Sequence, residues 1–138
     1  MQPKQIIYII EDTEEIATLI SIYLEKANFL PKIFFTAEQA FEEIQKDNIP
    51  ALFLLDLNLP GINGFDFLNK IKEVTQRSIP TLIISARDAD EDIIKGLKLG
   101  ADDFITKPFS PRVLTARVRA MIRRTQDSQE KDNSVEEI

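Results

Sequence analysis

Short apolar runs alternate along the chain with longer stretches whose apolar residues recur at helical spacing. Ile6-Ile7-Tyr8-Ile9-Ile10 is the first run, β-branched and bounded by polar residues; Lys32–Thr36, Ala51–Leu55, Thr81–Ser85 and Phe104–Thr106 follow it. Runs of this length and composition predict strands. The first, third and fourth are apolar at consecutive positions, as expected of parallel strands covered by helices on both sides. After Asp12, residues Ile16, Leu19, Ile20, Tyr23 and Leu24 fall at helical intervals, and Ala37–Gln45, Gly64–Val74, Asp90–Leu99 and Pro111–Arg124 repeat the theme. Asn63-Gly64, Gly96 and Gly100 punctuate these stretches. Gly100 is expected to end a helix, where a left-handed residue is favoured. Five strand–helix units predict an α/β fold with right-handed crossovers and a helical layer on each face of a parallel sheet.

Composition narrows the chemistry. The 138 residues suit one domain with one core, placed at 1–124. From Thr125 the sequence turns to Gln, Asp, Ser, Glu, Lys and Asn, which predicts a linker or frayed tail over 125–138. Those last residues hold five acids and one lysine, so most of the net charge of −6 lies there and residues 1–124 are near neutral. The balance argues against nucleic-acid binding by this chain itself. No apolar run approaches the ~20 residues of a membrane-spanning helix, and the N-terminus lacks a signal-peptide pattern. The chain has no cysteine and no histidine. That excludes disulfides, thiolate metal sites and imidazole bases. Carboxylates, hydroxyls, lysine and hard cations remain.

Ligands of doubly wound sheets gather at the carboxyl ends of the strands. The first run ends in Glu11-Asp12, the third in Asp56, the fourth in Ser85-Ala86, and Lys107-Pro108 follows the fifth. Three converging carboxylates repel one another unless a cation joins them. Mg²⁺ accepts a few carboxylate oxygens and keeps positions for water and phosphate. A carboxylate in that setting can act as a nucleophile toward phosphorus, with Lys107 and Ser85 stabilising the added oxygens. Taken singly, each residue has a plainer reading: Asp12 as a helix cap, Lys107 as a solvated charge. The set of four strand ends carries the functional reading.

Over residues 4–124 the sequence resembles the receiver domain of two-component response regulators. The matching motifs are Glu11-Asp12, the run Leu54-Leu55-Asp56-Leu57-Asn58-Leu59-Pro60-Gly61, Ser85-Ala86 and Ile105-Thr106-Lys107-Pro108-Phe109. The resemblance implies a flavodoxin-like (βα)5 three-layer sandwich with a five-stranded parallel sheet in the order 2-1-3-4-5. It implies Asp56 as acceptor of phosphate from a sensor histidine kinase's phosphohistidine. Mg²⁺ would be held by Glu11, Asp12, Asp56 and the Asn58 backbone carbonyl, and Lys107 would pair with the phosphoryl group. Ser85 and Phe104 would be the switch pair, moving together when Asp56 is modified, and small Ala86 would keep the site accessible. The expected protein is a cytoplasmic signalling domain that catalyses its own phosphorylation and dephosphorylation, not an enzyme acting on a metabolite. Asn58 and Arg87 flank the site and are candidates for tuning dephosphorylation.

The stretch Gly100–Pro111, with Arg117 and Arg123-Arg124, resembles the winged-helix (OmpR/PhoB-type) transcriptional regulators. In that subfamily the face made by the fourth helix, fifth strand and fifth helix forms a symmetric dimer held by cross-subunit ion pairs. Asp103 and Arg117 match one such pair. Ile93 and Val113 stand where the subfamily has a basic and an acidic residue, so an apolar pair is expected to replace an ion pair. Lys98 and Arg119 also depart from the expected opposite charges. DNA would be reached only through an effector domain absent from this sequence, with Val135-Glu136-Glu137-Ile138 as the start of its first strand. The alternatives are a stand-alone single-domain receiver and a phosphorylation-independent pseudo-receiver. A haloacid-dehalogenase-type phosphatase would want its nucleophile after the first strand with a second Asp two residues on. A flavin-binding protein would want a Ser-, Thr- and Gly-rich loop where Glu11-Asp12 stands.

Overall fold

The computed structural model describes residues 3–59, 61–75, 79–86 and 90–136, with side chains described as far as Asp127. Pro60, Arg87, Glu137 and Ile138 lie outside the described residues. Strands and helices alternate: β1 (Ile6–Ile10), α1 (Glu14–Lys26), β2 (Leu30–Phe34), α2 (Ala37–Gln45), β3 (Leu52–Asp56), α3 (Gly64–Thr75), β4 (Thr81–Ser85), α4 (Asp90–Lys98), β5 (Asp103–Thr106) and α5 (Pro111–Glu136). All pairings are parallel, and the sheet order is β2-β1-β3-β4-β5. This is the flavodoxin-like order that the family resemblance implies. No described helix is long and apolar enough to cross a membrane.

The period of two along each strand divides the core into two layers. Ile7, Ile9, Leu52, Leu54, Leu82, Ile84 and Ile105 pack with Ala17, Ile20 and Leu24 of α1 and Leu114, Val118 and Met121 of α5. Tyr8, Ile10, Phe53, Leu55 and Ile83 take the other side, with Ala40 and Ile44 of α2 and Phe65, Phe67, Leu68 and Ile71 of α3. β3 and β4 are buried along their whole length. They read as unbroken apolar runs because both faces are covered.

Beyond one-residue shifts at the ends of α3, α4 and β5, three differences from the sequence reading stand out. β2 is Leu30–Phe34 rather than Lys32–Thr36, because pairing with β1 sets its register (Ile6 opposite Leu30, Ile10 opposite Phe34). The apolar residues after it lead into Thr36, which caps α2. β3 is shifted by one, so Asp56 is its last residue and pairs with Ile84. The third difference is the expected linker: α5 continues without a break to Glu136, and Val135 is helical rather than the start of a strand. Residues 112–136 contain neither Gly nor Pro, and Gln, Glu and Lys are good helix formers, so local propensity carries the helix past the domain body. Gly100, with φ +109°, follows the end of α4 as expected.

Phe53 anchors the sheet at the strand that carries Asp56. Its side chain is 1% exposed and meets the Phe67 ring edge-on at 5.5 Å between centroids. Phe53→Ala is expected to destabilise the chain by about 3–5 kcal/mol, the usual range for deleting a buried ring. Urea unfolding should show it as a lower midpoint with an unchanged slope.

Candidate functional site

The strand order decides which residues meet. β1 and β3 are neighbours, so Glu11, just past β1, lies beside Asp56 at the end of β3. Glu11 is 2% and Asp56 4% exposed, whereas Asp12 is open to solvent. Carboxylate oxygens of Glu11, Asp12 and Asp56 all lie within 4.8 Å of one another. Asp12 is not the cap of α1: Thr13 holds that position, and its side chain makes no capping hydrogen bond.

Lys107 reaches this cluster from the loop after β5. Its ammonium donates to Glu11 Oε1 at 2.6 Å and to Asp56 Oδ2 at 3.2 Å. Asp56 Oδ1 accepts the Asn58 backbone N–H at 3.0 Å. The Lys107 N–H donates to the Ser85 carbonyl at 2.9 Å, and the Lys107–Pro108 peptide bond is cis. Gly64 lets the loop after β3 fold tightly beneath the site, since a Cβ there would lie 2.9 Å from Leu57 Cα and 3.0 Å from the Asp56 carbonyl oxygen.

Among the described residues one cation, Lys107, serves three carboxylates, which leaves the cluster negative. Burial, with the hydrogen bond to Asp56 next, pushes the Glu11 carboxyl up to about 8, and Lys107 only partly opposes this. Burial lowers the Lys107 ammonium, but its hydrogen bond to Glu11 and the charge of Asp56 outweigh that and leave it raised. Glu11 Oε2 is buried and has no hydrogen-bond partner among the described residues. A buried carboxylate oxygen without a partner is costly. A hard divalent cation fits this donor set, because it supplies the missing partner and the missing positive charge together.

Ser85 and Phe104 sit on the other side of the sheet's alternation. Ser85 is fully buried and pairs with Thr106 across β4 and β5. Phe104 is half-buried, pairs with Ile83 and packs against the α2–α3 layer. α4 crosses close by at Gly96, where a Cβ would lie 2.7 Å from Ile83 Cδ1 and 3.7 Å from Phe104 Cδ2. Glu11, Asp12, Asp56 and Lys107 are thus brought into one cluster, with Asn58 and Ser85 bonded to its members through their backbones.

The residues expected at a dimer face lie elsewhere on the surface. Arg117 Nη1 meets both Asp103 carboxylate oxygens, at 2.9 and 3.1 Å, so the pair expected across two subunits closes here within one chain. Ile93 is half-buried and Val113 exposed, while Lys98 and Arg119 are both solvated. Ile94 and Leu97 on α4 are also 50% and 45% exposed. The sequence reading missed both; two apolar residues on a short helix otherwise rich in charge were the available signal. It also missed Glu38, whose carboxylate accepts the Ile62 N–H at 2.9 Å. No local pattern marks a contact between residues 24 positions apart.

Residues 7–119 match the family described as the response regulator receiver domain. Regulatory protein VanR from Enterococcus faecium is 42% identical over 118 residues, which cover 86% of this chain and 50% of that protein. The phosphate regulon transcriptional regulatory protein PhoB from Escherichia coli is 40% identical over 119 residues, covering 86% and 52% respectively. The chain therefore spans about half the length of the curated relatives it matches. Among solved structures, the BeF3-activated N-terminal receiver domain of RstA from Klebsiella pneumoniae superposes with a TM-score of 0.77 at 34% identity, over 86% of this chain and 98% of that one. Sequence, sheet order and site geometry agree: the chain belongs to the response regulator receiver domain family, in its OmpR/PhoB-type branch.

Proposed function

We propose that the chain is a phosphorelay signal receiver whose phosphoacceptor is Asp56. The observation that carries this is the cluster itself: three carboxylates within 4.8 Å, with Lys107 Nζ 3.2 Å from Asp56, at the carboxyl edge of a receiver fold. An Asp56 oxygen forms the new O–P bond as the N–P bond to the imidazole of a partner histidine kinase breaks. Glu11, Asp12, Asp56 and the Asn58 carbonyl would hold Mg²⁺, which when bound offsets the charge of the carboxylates and of the incoming phosphoryl oxygens. Lys107 exchanges part of its contact with Glu11 for the phosphoryl group, and the Ser85 hydroxyl supplies a further donor. On this reading the domain is a self-modifying switch rather than an enzyme with a metabolic substrate, and its place is the cytoplasm.

Phosphorylation adds roughly −1.5 to −2 charge to the buried site. Ser85 and Lys107 answer it by moving, Phe104 takes up the space that Ser85 leaves, and the α4–β5–α5 face is re-populated. That face carries Val113, Ile94 and Leu97 exposed beside half-buried Ile93. A symmetric dimer would bury these apolar groups and let Asp103 and Arg117 exchange partners between chains. Exposed ion pairs contribute little each, so an apolar centre can replace a lost pair without weakening association. DNA binding would belong to a C-terminal effector domain outside this sequence.

Incubation with a small phosphodonor and Mg²⁺ should give one phosphoryl adduct by intact mass, absent in Asp56→Ala; a wild-type chain that stays unmodified would favour the pseudo-receiver. Because the Glu11 carboxyl is raised to about 8, protons compete with the cation. Mg²⁺ affinity should therefore climb from pH 6.5 to pH 8.5 with proton release on binding, measurable by titration calorimetry in buffers of different ionisation heat. By the same linkage Glu11 binds more protons folded than unfolded across that window, so the metal-free chain should lose stability as pH rises towards 8. Added Mg²⁺ should restore most of that loss, and Glu11→Gln should remove both effects. Ile93→Asp should abolish phosphorylation-dependent dimerisation in light scattering while leaving the adduct intact; unchanged dimers would place the interface elsewhere.

A further inference from the structure

The loop from β3 to α3 carries Asn58, and one of its ties comes from a different layer of the molecule. The chain enters α2 through a fixed turn. Thr36 Oγ1 accepts the Gln39 N–H at 3.2 Å, and Gln39 Oε1 accepts the Phe35 N–H at 3.3 Å. Reciprocal bonds of this kind settle the first turn of a helix. That turn presents Glu38 to the loop, and Glu38 Oε1 accepts the Ile62 N–H at 2.9 Å. The negative side chain also sits at the favourable end of the helix dipole.

The loop is shaped to receive this carboxylate. Gly61 has φ +82°, and a Cβ there would lie 2.7 Å from Glu38 Oε1 and 3.3 Å from its Cδ. A side chain at 61 would both strain the backbone and push Glu38 away. The Ile62 N–H is the largest influence holding the Glu38 carboxyl below the usual carboxylate range. Elsewhere the loop is tied to itself and to its own flanks. The Asn58 N–H bonds Asp56, the Gly64 N–H bonds the Leu57 carbonyl, and the Asp66 N–H bonds Asn63 Oδ1. Among the described hydrogen bonds of residues 57–63, the one from Glu38 is the tie that fixes the loop's middle against another element.

We propose that Glu38 is a positioning residue for the acceptor site, holding Gly61-Ile62 so that the loop's earlier half keeps the Asn58 backbone against the carboxylate cluster. This rests on the receiver reading above and extends it to a side chain that touches neither metal nor phosphoryl group. Direct hydrogen-bond partners of metal ligands are worth about 10–100-fold in metal affinity; Glu38 acts on Ile62, four residues from Asn58, so the low end of that range is expected.

The test uses the whole chain. Amide exchange of Ile62 is followed in the metal-free protein, Mg²⁺ affinity by titration calorimetry, and thermal melting in every variant. Glu38→Ala should speed Ile62 exchange and weaken Mg²⁺ binding about tenfold. Glu38→Gln keeps an acceptor oxygen and should recover most of both. Gly61→Ala should reproduce the weak binding, and its combination with Glu38→Ala should be less than additive, as expected of residues that share one contact. If Glu38→Ala does not fold, Glu38→Asp, one methylene shorter, takes its place. Wild-type Mg²⁺ affinity in the folded Ala or Asp variant overturns the proposal, as does a Gln variant as weak as Ala at equal melting temperature. A wild-type chain that bound no Mg²⁺ would instead strike at the receiver reading, while Ile62 exchange would still report on the tether.

Discussion

The site is built on one unfavourable fact: among the described residues, a glutamate is buried beside an aspartate and Lys107 serves both. Glu11 at 2% exposure lies beside Asp56 at 4%, with the Asp12 carboxylate within 4.8 Å, and burial together with Asp56 raises the Glu11 carboxyl unless positive charge arrives. Lys107 supplies part of it at 2.6 and 3.2 Å, and the remainder is an affinity for a proton or a hard cation. A site already neutral would have no reason to bind either. The proposed function rests on this imbalance, and the rest of the fold sustains it.

Sustaining it requires a particular sheet order. With β1 and β3 adjacent, two acids at consecutive strand ends become neighbours in space. β5 lies two strands from β3, roughly 10 Å away at the usual strand spacing. A residue there can reach Asp56 only if it is long and if the intervening end of β4 is small. Lys107 is long, and Ser85 and Ala86 are small. Alternation along the strands then separates duties. Residues in the phase of Ile9, Leu54 and Ile105 lead to Glu11, Asp56 and Lys107, while Ser85 and Phe104 share the phase of Ile83, under α4. On the proposed reading Ser85, at the end of β4, would meet a charge added to Asp56, and Phe104 would follow it on the α4 side.

Much of this is legible in the amino-acid sequence. Asp56, Lys107 and Glu11-Asp12 stand at ends of apolar runs, and apolar runs in a doubly covered sheet are hard to mistake. The edge strand was misplaced by two residues because β2 is half-exposed, so its own pattern is weak and its register is set by β1. Composition past Thr125 predicts a linker, yet a segment free of Gly and Pro prolongs a helix that the core has already nucleated. Two further features could not be found by local reasoning. The unpartnered Glu11 oxygen depends on burial, and the contact from Glu38 to Ile62 depends on how α2 is docked. The Asp103–Arg117 pair is expected from the resemblance to form between subunits and closes here within one chain, a distinction that sequence alone does not carry.

α4 marks where this structure is most easily changed. α1 buries Ala17, Ile20 and Leu24, and α3 buries five residues, whereas α4 buries only Gly96. Ile94 and Leu97 remain about half exposed. A fully buried aliphatic side chain contributes about 1.5–3 kcal/mol, so α4 forgoes stabilisation that the other helices obtain. Its described contacts with the body include the close approach of Gly96 to Ile83 and the stacking of the Lys95 ammonium over Phe65 at 4.5 Å. The second is a surface cation–π contact, worth about 0.5–1 kcal/mol. An element held this lightly can be displaced by an event of a few kcal/mol, which is the scale on which a buried phosphoryl group acts through its new hydrogen bonds. The same economy leaves apolar surface on α4 that a second surface could cover. Loose attachment and exposed apolar area are thus one property of this helix, and it lies directly over the residues that would sense Asp56.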